Sequence, residues 1–288
     1  MKKIHLLLSY SLLLGLSGCE PKFNFEGIDL EPQIVVEGWI ETGEAANVCL
    51  SQSITLNEDS PYIPLSDIPI RWAKVSVSDG TQEEILTGRM DANYTPPFVY
   101  RGNRIRGEAG KTYRLKVEYS GLTVTAETTI PPVTPIERLE VSPCEDSDTL
   151  YQIRIRFRDN PEEKNYYKIF TLVRPDETRY YPAFMGTVSD ETLHDHLAEM
   201  NVSRGMRYTE TGKYTPYFKE SDSVLVKLTQ IGEKEFGFWS GYENEIVNGK
   251  NPFFPSSNSL SSNIRGGKGI WCGYGKDIRL VTIKDSIK

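Results

Sequence analysis

The stretch Tyr113-Arg114-Leu115-Lys116-Val117-Glu118-Tyr119-Ser120-Gly121-Leu122-Thr123-Val124-Thr125-Ala126 decides the fold class. Tyr113, Leu115, Val117 and Tyr119 alternate with Arg114, Lys116 and Glu118, and Leu122, Val124 and Ala126 repeat the alternation after Ser120-Gly121. A period of two puts successive side chains on opposite faces of a strand, so this is a half-buried β-hairpin. The same period surrounds it. Ile34, Val36 and Ile40 share one face of a first strand, and Val75 and Val77 lead into an Asp79-Gly80 turn. About 100 residues of short strands and frequent turns predict an immunoglobulin-like β-sandwich over residues 33–133. The Cys…Trp…Cys core of true immunoglobulin domains is missing, so only the architecture is expected.

Pro131-Pro132-Val133-Thr134-Pro135 removes backbone donors and stiffens the chain, which sets a domain boundary near residue 133. Strands resume in residues 134–288. Tyr151, Ile153, Ile155 and Phe157 alternate with polar neighbours, Tyr166–Val173 is apolar on both faces, and Val224, Val226 and Leu228 continue the sheet. Residues 174–222 form a long irregular insertion with a short helix expected over 191–200. Residues 233–247 form a helix, with Phe236, Trp239, Ile246 and Val247 as its apolar face and Asn248-Gly249 as its C-cap. Residues 251–275 read as an ordered loop, and 277–284 as a final strand. The fold class is therefore mainly β: two β-sandwich-like domains, the second carrying one or two helices.

The start of the chain has a different character. Lys2 and Lys3 precede a mainly apolar stretch, Ile4–Leu16, too short for the roughly 20 residues that span a bilayer. Leu16-Ser17-Gly18-Cys19 then has the form of a bacterial lipobox, and no Ala precedes Ala45 to offer a competing A-x-A cleavage site. Residues 1–18 are thus read as a signal peptide, with Cys19 as the lipid-attachment residue and 19–32 as a polar tether. Several acyl chains on one cysteine hold a body stably on a membrane. Without its signal the chain carries 31 basic and 40 acidic residues, a net charge of −9. That argues against nucleic acid and against a basic patch gripping anionic lipid.

Cys49, Cys144 and Cys272 remain after lipidation. In an oxidising compartment a Cys144–Cys272 disulfide is the favoured pairing, and three buried thiols acting as small hydrophobes are the alternative. No catalytic constellation emerges. Gly110-Lys111-Thr112 lacks the first P-loop glycine and precedes a strand, so it is a hairpin connection. His194-Asp195-His196 has helical spacing that separates its imidazoles, and is read as a solvated segment rather than a metal site. Ser240-Gly241 has no preceding glycine at 238 to form G-x-S-x-G, and Glu162-Glu163 sits beside a turn. No cofactor or metal is predicted.

The insertion is the most suggestive region. It holds Tyr180, Tyr181, Phe184, Tyr208, Tyr214, Tyr217 and Phe218, with Met185, Met200 and Met206. Tyrosines supply large amphipathic contact area and methionines adapt to irregular partners. Either Tyr180, Tyr181, Phe184, Tyr208, Tyr214 and Tyr217 contact a ligand or partner, or the group forms a satellite core over the sheet edge.

Two motifs carry a family resemblance. Ser262-Asn263-Ile264, Gly266-Gly267 and Gly269-Ile270-Trp271, followed by Gly273-Tyr274, resemble the closing motif of the DUF4249 lipoproteins of Bacteroidota. Val35-Val36-Glu37-Gly38-Trp39-Ile40 is similar to that family's opening strand, and Asn165-Tyr166-Tyr167 fits its middle. The resemblance implies a lipid-anchored outer-membrane protein, often encoded beside a TonB-dependent receptor, with no established enzymatic activity. Asp148-Thr149-Leu150, Asp222-Ser223-Val224 and Asp285-Ser286-Ile287 match the short O-glycosylation sequon of that phylum. The expected function is that of a binding or accessory component of a TonB-dependent nutrient transporter, its body facing the cell surface. A structural or adhesive surface protein, or a hydrolase with carboxylates assembled from distant strands, are the alternatives.

Overall fold

The computed structural model describes residues 33–53, 68–145, 147–205, 214–248 and 260–286. The first half contributes β1 (Ile34–Glu41), β2 (Ala45–Gln52), β3 (Lys74–Ser78), β4 (Glu83–Ile85), β5 (Thr87–Met90), β6 (Phe98–Arg106), β7 (Thr112–Tyr119) and β8 (Leu122–Thr129). The second half contributes β9 (Ile136–Cys144), β10 (Ser147–Arg158), β11 (Tyr166–Arg174), β12 (Tyr181–Ser189), β13 (Leu197–Val202), β14 (Phe218–Lys219) and β15 (Ser223–Ile231). These lead into α1 (Glu233–Asn248), β16 (Ile264–Arg265), β17 (Lys268–Thr282) and a terminal turn of helix, α2 (Ile283–Ser286). The chain is mainly β, as the alternation predicts. No helix among the described residues is long and apolar enough to cross a membrane.

One sheet of eight strands, in the order β12-β11-β15-β17-β1-β2-β6-β5, runs through both halves of the sequence. Its centre is the parallel pairing of β1 with β17, which brings Gly38 beside Trp271 and Glu41 beside Tyr274. Two smaller sheets cover the large one. The first, β16-β8-β7-β3-β4, encloses a core of Ile34, Val36, Ile40, Val48, Tyr113, Leu115, Val117 and Trp271. In the second, β10 pairs with β9, β13 and β14, over a core including Ile153, Phe157, Tyr167, Val173, Phe218 and Val226.

The quoted hairpin forms as read. Tyr119 pairs with Leu122, and both turn residues have positive φ, 48° at Ser120 and 79° at Gly121, the twist that matches a two-residue hairpin. Gly110-Lys111-Thr112 is not a hairpin connection: it carries the chain from β6 of the large sheet to β7 of a smaller one, through a turn closed by Lys111 N–H donating to Glu108 O and by an ion pair between the two side chains.

Several expectations are corrected. The described part of residues 174–222 is not an irregular insertion: β12 edges the large sheet, and β13 and β14 flank β10. The helix expected over 191–200 is absent. A single 3-10 turn, Asp190–Thr192, gives way to a reversal with positive φ at Asp195 and His196, after which Leu197–Val202 pairs with Ile153–Arg158. Burying Ala198 and Val202 against the second core outweighs helix propensity there. The loop expected over 251–275 and the strand expected from 277 are, from Lys268 on, one strand of 15 residues. Glycines disguise it. Gly275 crosses the proline segment so closely that a Cβ would lie 2.3 Å from Pro132 O.

Candidate functional site

The alternation that turns Ile34, Val36 and Ile40 into the core turns Glu37, Trp39 and Glu41 onto the opposite face of the large sheet. Parallel register aligns Ile270, Cys272 and Tyr274 with them, and α1 lies over part of this face. Phe236 stacks on Tyr166 at 4.6 Å and Trp239 meets Phe170 edge-on at 5.5 Å. The helix does not dock by apolar residues alone: Val247 is exposed, whereas Glu235 and Glu243 are buried. Thr128 donates to Glu235, whose carboxyl burial pushes up.

Two buried lysines explain this acidic face. Lys168 has no solvent exposure; its ammonium donates to Glu243 at 2.5 Å, to Ala183 O at 3.0 Å and to Thr187 at 3.1 Å, beneath the Trp239 ring. Gly186 N–H donates to the same Glu243 oxygen, so one carboxylate ties α1 to the edge strand β12. Burial lowers the Lys168 ammonium against the opposing pull of Glu243. Lys227 is held by Glu41 and lies 4.4 Å from the Tyr180 ring centroid, 4.7 Å from Phe170 and 5.8 Å from Tyr274. Burial pushes Glu41 up, and Lys227 with Lys276 outweighs it, leaving the carboxyl below its ordinary range.

Beyond the helix the pairing is incomplete. The loop between β5 and β6 brings Tyr94 onto Trp39, their rings stacked at 6.0 Å. The loop between β11 and β12 meets it, with Thr178 donating to Asn93. Arg179 lies over both Tyr94 and Tyr181, 5.0 and 4.8 Å from their centroids. Arg101 reaches Asp91 at 2.9 Å and Tyr94 Oη at 3.2 Å. The Nε of each arginine is buried without an acceptor, an arrangement that costs about 1–3 kcal/mol per group and calls for a reason. Glu37 faces this cluster. It keeps solvent access, yet the surrounding protein dehydrates its carboxyl and raises it, with Arg179 pulling the other way. Cys49, across the strand from Glu37, is a buried thiol pushed up by dehydration.

A concave feature lies at the β5 edge of the large sheet. Trp72 is 89 % exposed, and Ile85 and Met90 are 61 % and 60 % exposed. Together with Phe98, Tyr100 and Leu86 they line a groove of about 620 Å³, whose charged lining residues, Arg71 and Lys74, are both basic. It opens where the edge strands β4 and β5 end their sheets.

A family model described as a domain of unknown function, DUF4249, matches residues 20–277. The chain belongs to the DUF4249 family. A comparison with curated proteins finds no match.

The residues that signalled DUF4249 are structural. Asn263 mimics a neighbouring strand, accepting from Trp271 N–H at 2.9 Å and donating to Trp271 O at 2.7 Å. Trp271 Nε1 donates to Tyr113 O, and its ring covers Gly38 so tightly that a Cβ there would lie 2.7 Å from Cε3. The opening and closing motifs of the DUF4249 chain thus lock each other at the β1–β17 seam.

The aromatic residues proposed from residues 174–222 do not converge. Tyr180 packs on Lys227 and Tyr181 joins the Arg179 cluster. Phe184 and Tyr214 pair elsewhere at 6.2 Å, with Tyr214 Oη donating to Arg204 O, and Tyr217 is half-buried beside β14. Tyr208 and Cys19 lie outside the described residues. No disulfide joins Cys144 to Cys272: Cys272 is buried among Tyr166, Phe170 and Tyr274, while Cys144 ends the β9 edge strand. His194 and Asp195 are exposed on the reversal before β13, and His196 approaches Asp159 at 3.4 Å. No group of three or more potential metal ligands occurs among the described residues. Glu37, Trp39, Tyr94, Arg101 and Arg179 escaped the sequence reading because four separate segments supply them. The one local signal was a glutamate in the opening strand, at a position facing away from the first core.

Proposed function

We propose that this chain is a lipid-anchored binding protein of the bacterial outer membrane that docks onto a TonB-dependent transporter through the Trp72 groove. The single observation that carries the docking surface is Trp72, an almost fully exposed indole beside a concave apolar groove. Exposed apolar groups gathered at one place mark partner surfaces, and tryptophan is among the residues that most often dominate interface energetics. The lipobox at Cys19 supports the anchor, and the family resemblance supports the membrane, the bacterial phylum and the class of partner. An accessory role, rather than catalysis, agrees with the absence of a catalytic motif in the sequence.

The test is affinity purification of the native chain from solubilised outer membranes beside a Trp72→Ala variant. The native chain is expected to bring down a TonB-dependent receptor, and the variant to lose at least tenfold of it while keeping its thermal midpoint. Equal recovery by both chains would remove the groove from the proposal, and recovery of no receptor would remove the partner.

A further inference from the structure

The Trp72 groove is a fork between two strands. β3 and β4 pair from Ser78 and Glu83 to Ser76 and Ile85, and Leu86 N–H still donates to Val75 O at 2.8 Å. Continued antiparallel pairing would set Lys74 against Thr87 and Ala73 against Gly88. Instead the chain crosses at Leu86 from the smaller sheet to the large one, where Thr87–Met90 pairs with Phe98–Arg101. Tyr100 keeps the two arms apart. Its hydroxyl accepts Ala73 N–H at 3.0 Å and donates to Ile70 O at 2.9 Å, which occupies the donor that closing the fork would need. The groove is therefore built into the fold, with Arg71–Lys74 as one wall, residues of Ile85–Met90 as the other, and Phe98 and Tyr100 between them.

The β5 wall has an edge that no described strand takes up, because β5 is the last strand of the large sheet. Backbone groups point to alternate edges along a strand. Asp91 N–H turns to Pro97 O on the β6 side and Leu86 N–H turns to β3, so Gly88 and Met90 direct their N–H and C=O groups into the fork. Proteins usually cover or blunt a strand edge of this kind. Here the side chains beside it, Trp72, Ile85 and Met90, are apolar and exposed. The charges around it are basic, in a chain of net charge −7: Arg71 and Lys74 line the groove and Arg89 is exposed on β5. Lys74 also shares the Glu118 carboxylate with Lys116, so positive charge is in local excess.

We propose that the docking partner enters this fork as an extended segment of alternating apolar and acidic residues, adding a strand to the large sheet along β5. The inference rests on the reading that the groove docks a protein, and names the element that protein offers. Main-chain bonds to Gly88 and Met90 hold the segment, its apolar side chains lie between Trp72 and Phe98, and its carboxylates meet Arg89 and the Arg71–Lys74 arm. In such strand addition the backbone gives affinity and the adjoining pockets give specificity. An acyl chain would use the apolar walls and leave the edge groups of Gly88 and Met90 unpaired. A helix, with its own backbone bonded internally, would do the same.

Fluorescence anisotropy of a labelled ten-residue peptide, in which Val and Phe alternate with Glu, titrated with the purified full chain, tests this. The peptide should bind saturably, and a scrambled peptide of the same composition at least tenfold more weakly. Trp72→Ala should weaken binding at least tenfold, and Arg89→Glu several-fold at low salt. Methylating alternate peptide nitrogens should abolish binding along one edge of the peptide and spare it along the other. Met90→Pro, which removes a donor from the free edge, should abolish binding, whereas Met90→Ala keeps that donor and should retain most of it; thermal midpoints check that each variant folds. The inference fails if the alternating peptide does not bind, if the scrambled one binds equally, or if methylation on neither edge matters. Displacement of the peptide by decanoate would mark an acyl site, and a dimer lost on Met90→Pro would give the edge to a second copy; either overturns it. A receptor captured from outer membranes in a Trp72-dependent way, and not displaced by the peptide, would overturn strand addition and leave the docking surface standing. Peptide binding with no receptor captured would support the strand and remove the transporter.

Discussion

The aromatic face of the large sheet treats charge in two ways. Under α1 the buried cations Lys168 and Lys227 have carboxylates at hydrogen-bond distance, and aromatic rings complete their shells. Around Tyr94, Arg179 and Glu37 form no ion pair with each other among the described residues. Pairing of the first kind fixes the position of an element, because a buried charge that loses its partner is costly. At the second, Glu37 is solvated, so only the buried Nε of Arg179 goes without a partner. The contrast separates charges that hold an element in place from charges that do not.

The sharpest way to break the comparison is to unpair a charge under the helix. Lys168→Met leaves Glu243 buried with only the Gly186 N–H, and should cost about 3–5 kcal/mol in urea unfolding. Adding Glu243→Leu should recover much of that loss, since an apolar pair of similar volume replaces a buried ion pair at little cost. A single mutant as stable as the native chain would mean that α1 is not held by this pair.

Glu41→Gln should cost less, about 2–3 kcal/mol at neutral pH, because Lys227 loses its carboxylate but keeps an amide acceptor and three aromatic rings, and Lys276 keeps Glu44 as a second partner at 3.0 Å. Its pH dependence has a definite sign. The folded state holds Glu41 below the ordinary carboxylate value, so its contribution is full above that value, about 4.3, and is lost as pH falls through the lower folded one. Denaturation midpoints followed from pH 7 down to pH 3 should therefore fall more steeply for the native chain than for the variant. Parallel curves would exclude Glu41 as the titrating group.

What the sequence made legible follows the same division. The hairpin over 112–129 and the helix at 233 could be read because their signals are local: strict alternation around a two-residue turn, and a helical run closed by Asn248-Gly249. The docking face of that helix could not. Phe236 and Trp239 look inward by composition, yet Glu243 points inward too, for a lysine 75 residues earlier in the chain. β13 was hidden because its partner β10 is remote in sequence, and β17 because Gly273 and Gly275, which look like loop residues, are there to let backbone cross backbone. The cluster around Tyr94 was the least legible of all. Its residues come from β1, β6 and two loops, and what marks it is the absence of contacts, which no sequence pattern records.

The smallest expected effect on stability is the most informative. Arg179→Gln removes a guanidinium that makes no ion pair among the described residues and an Nε that lacks an acceptor, so the one loss is its stacking on Tyr94 and Tyr181. Cation–π contacts at partly exposed sites contribute about 0.5–1 kcal/mol, and relief of an unsatisfied buried donor offsets a similar amount. The variant should therefore unfold within about 0.5 kcal/mol of the native chain, although Lys168→Met, another cation on an aromatic ring of the same sheet face, is crippling. A loss above about 2 kcal/mol would show that Arg179 is a structural residue after all. The two ways of treating charge would then collapse into one.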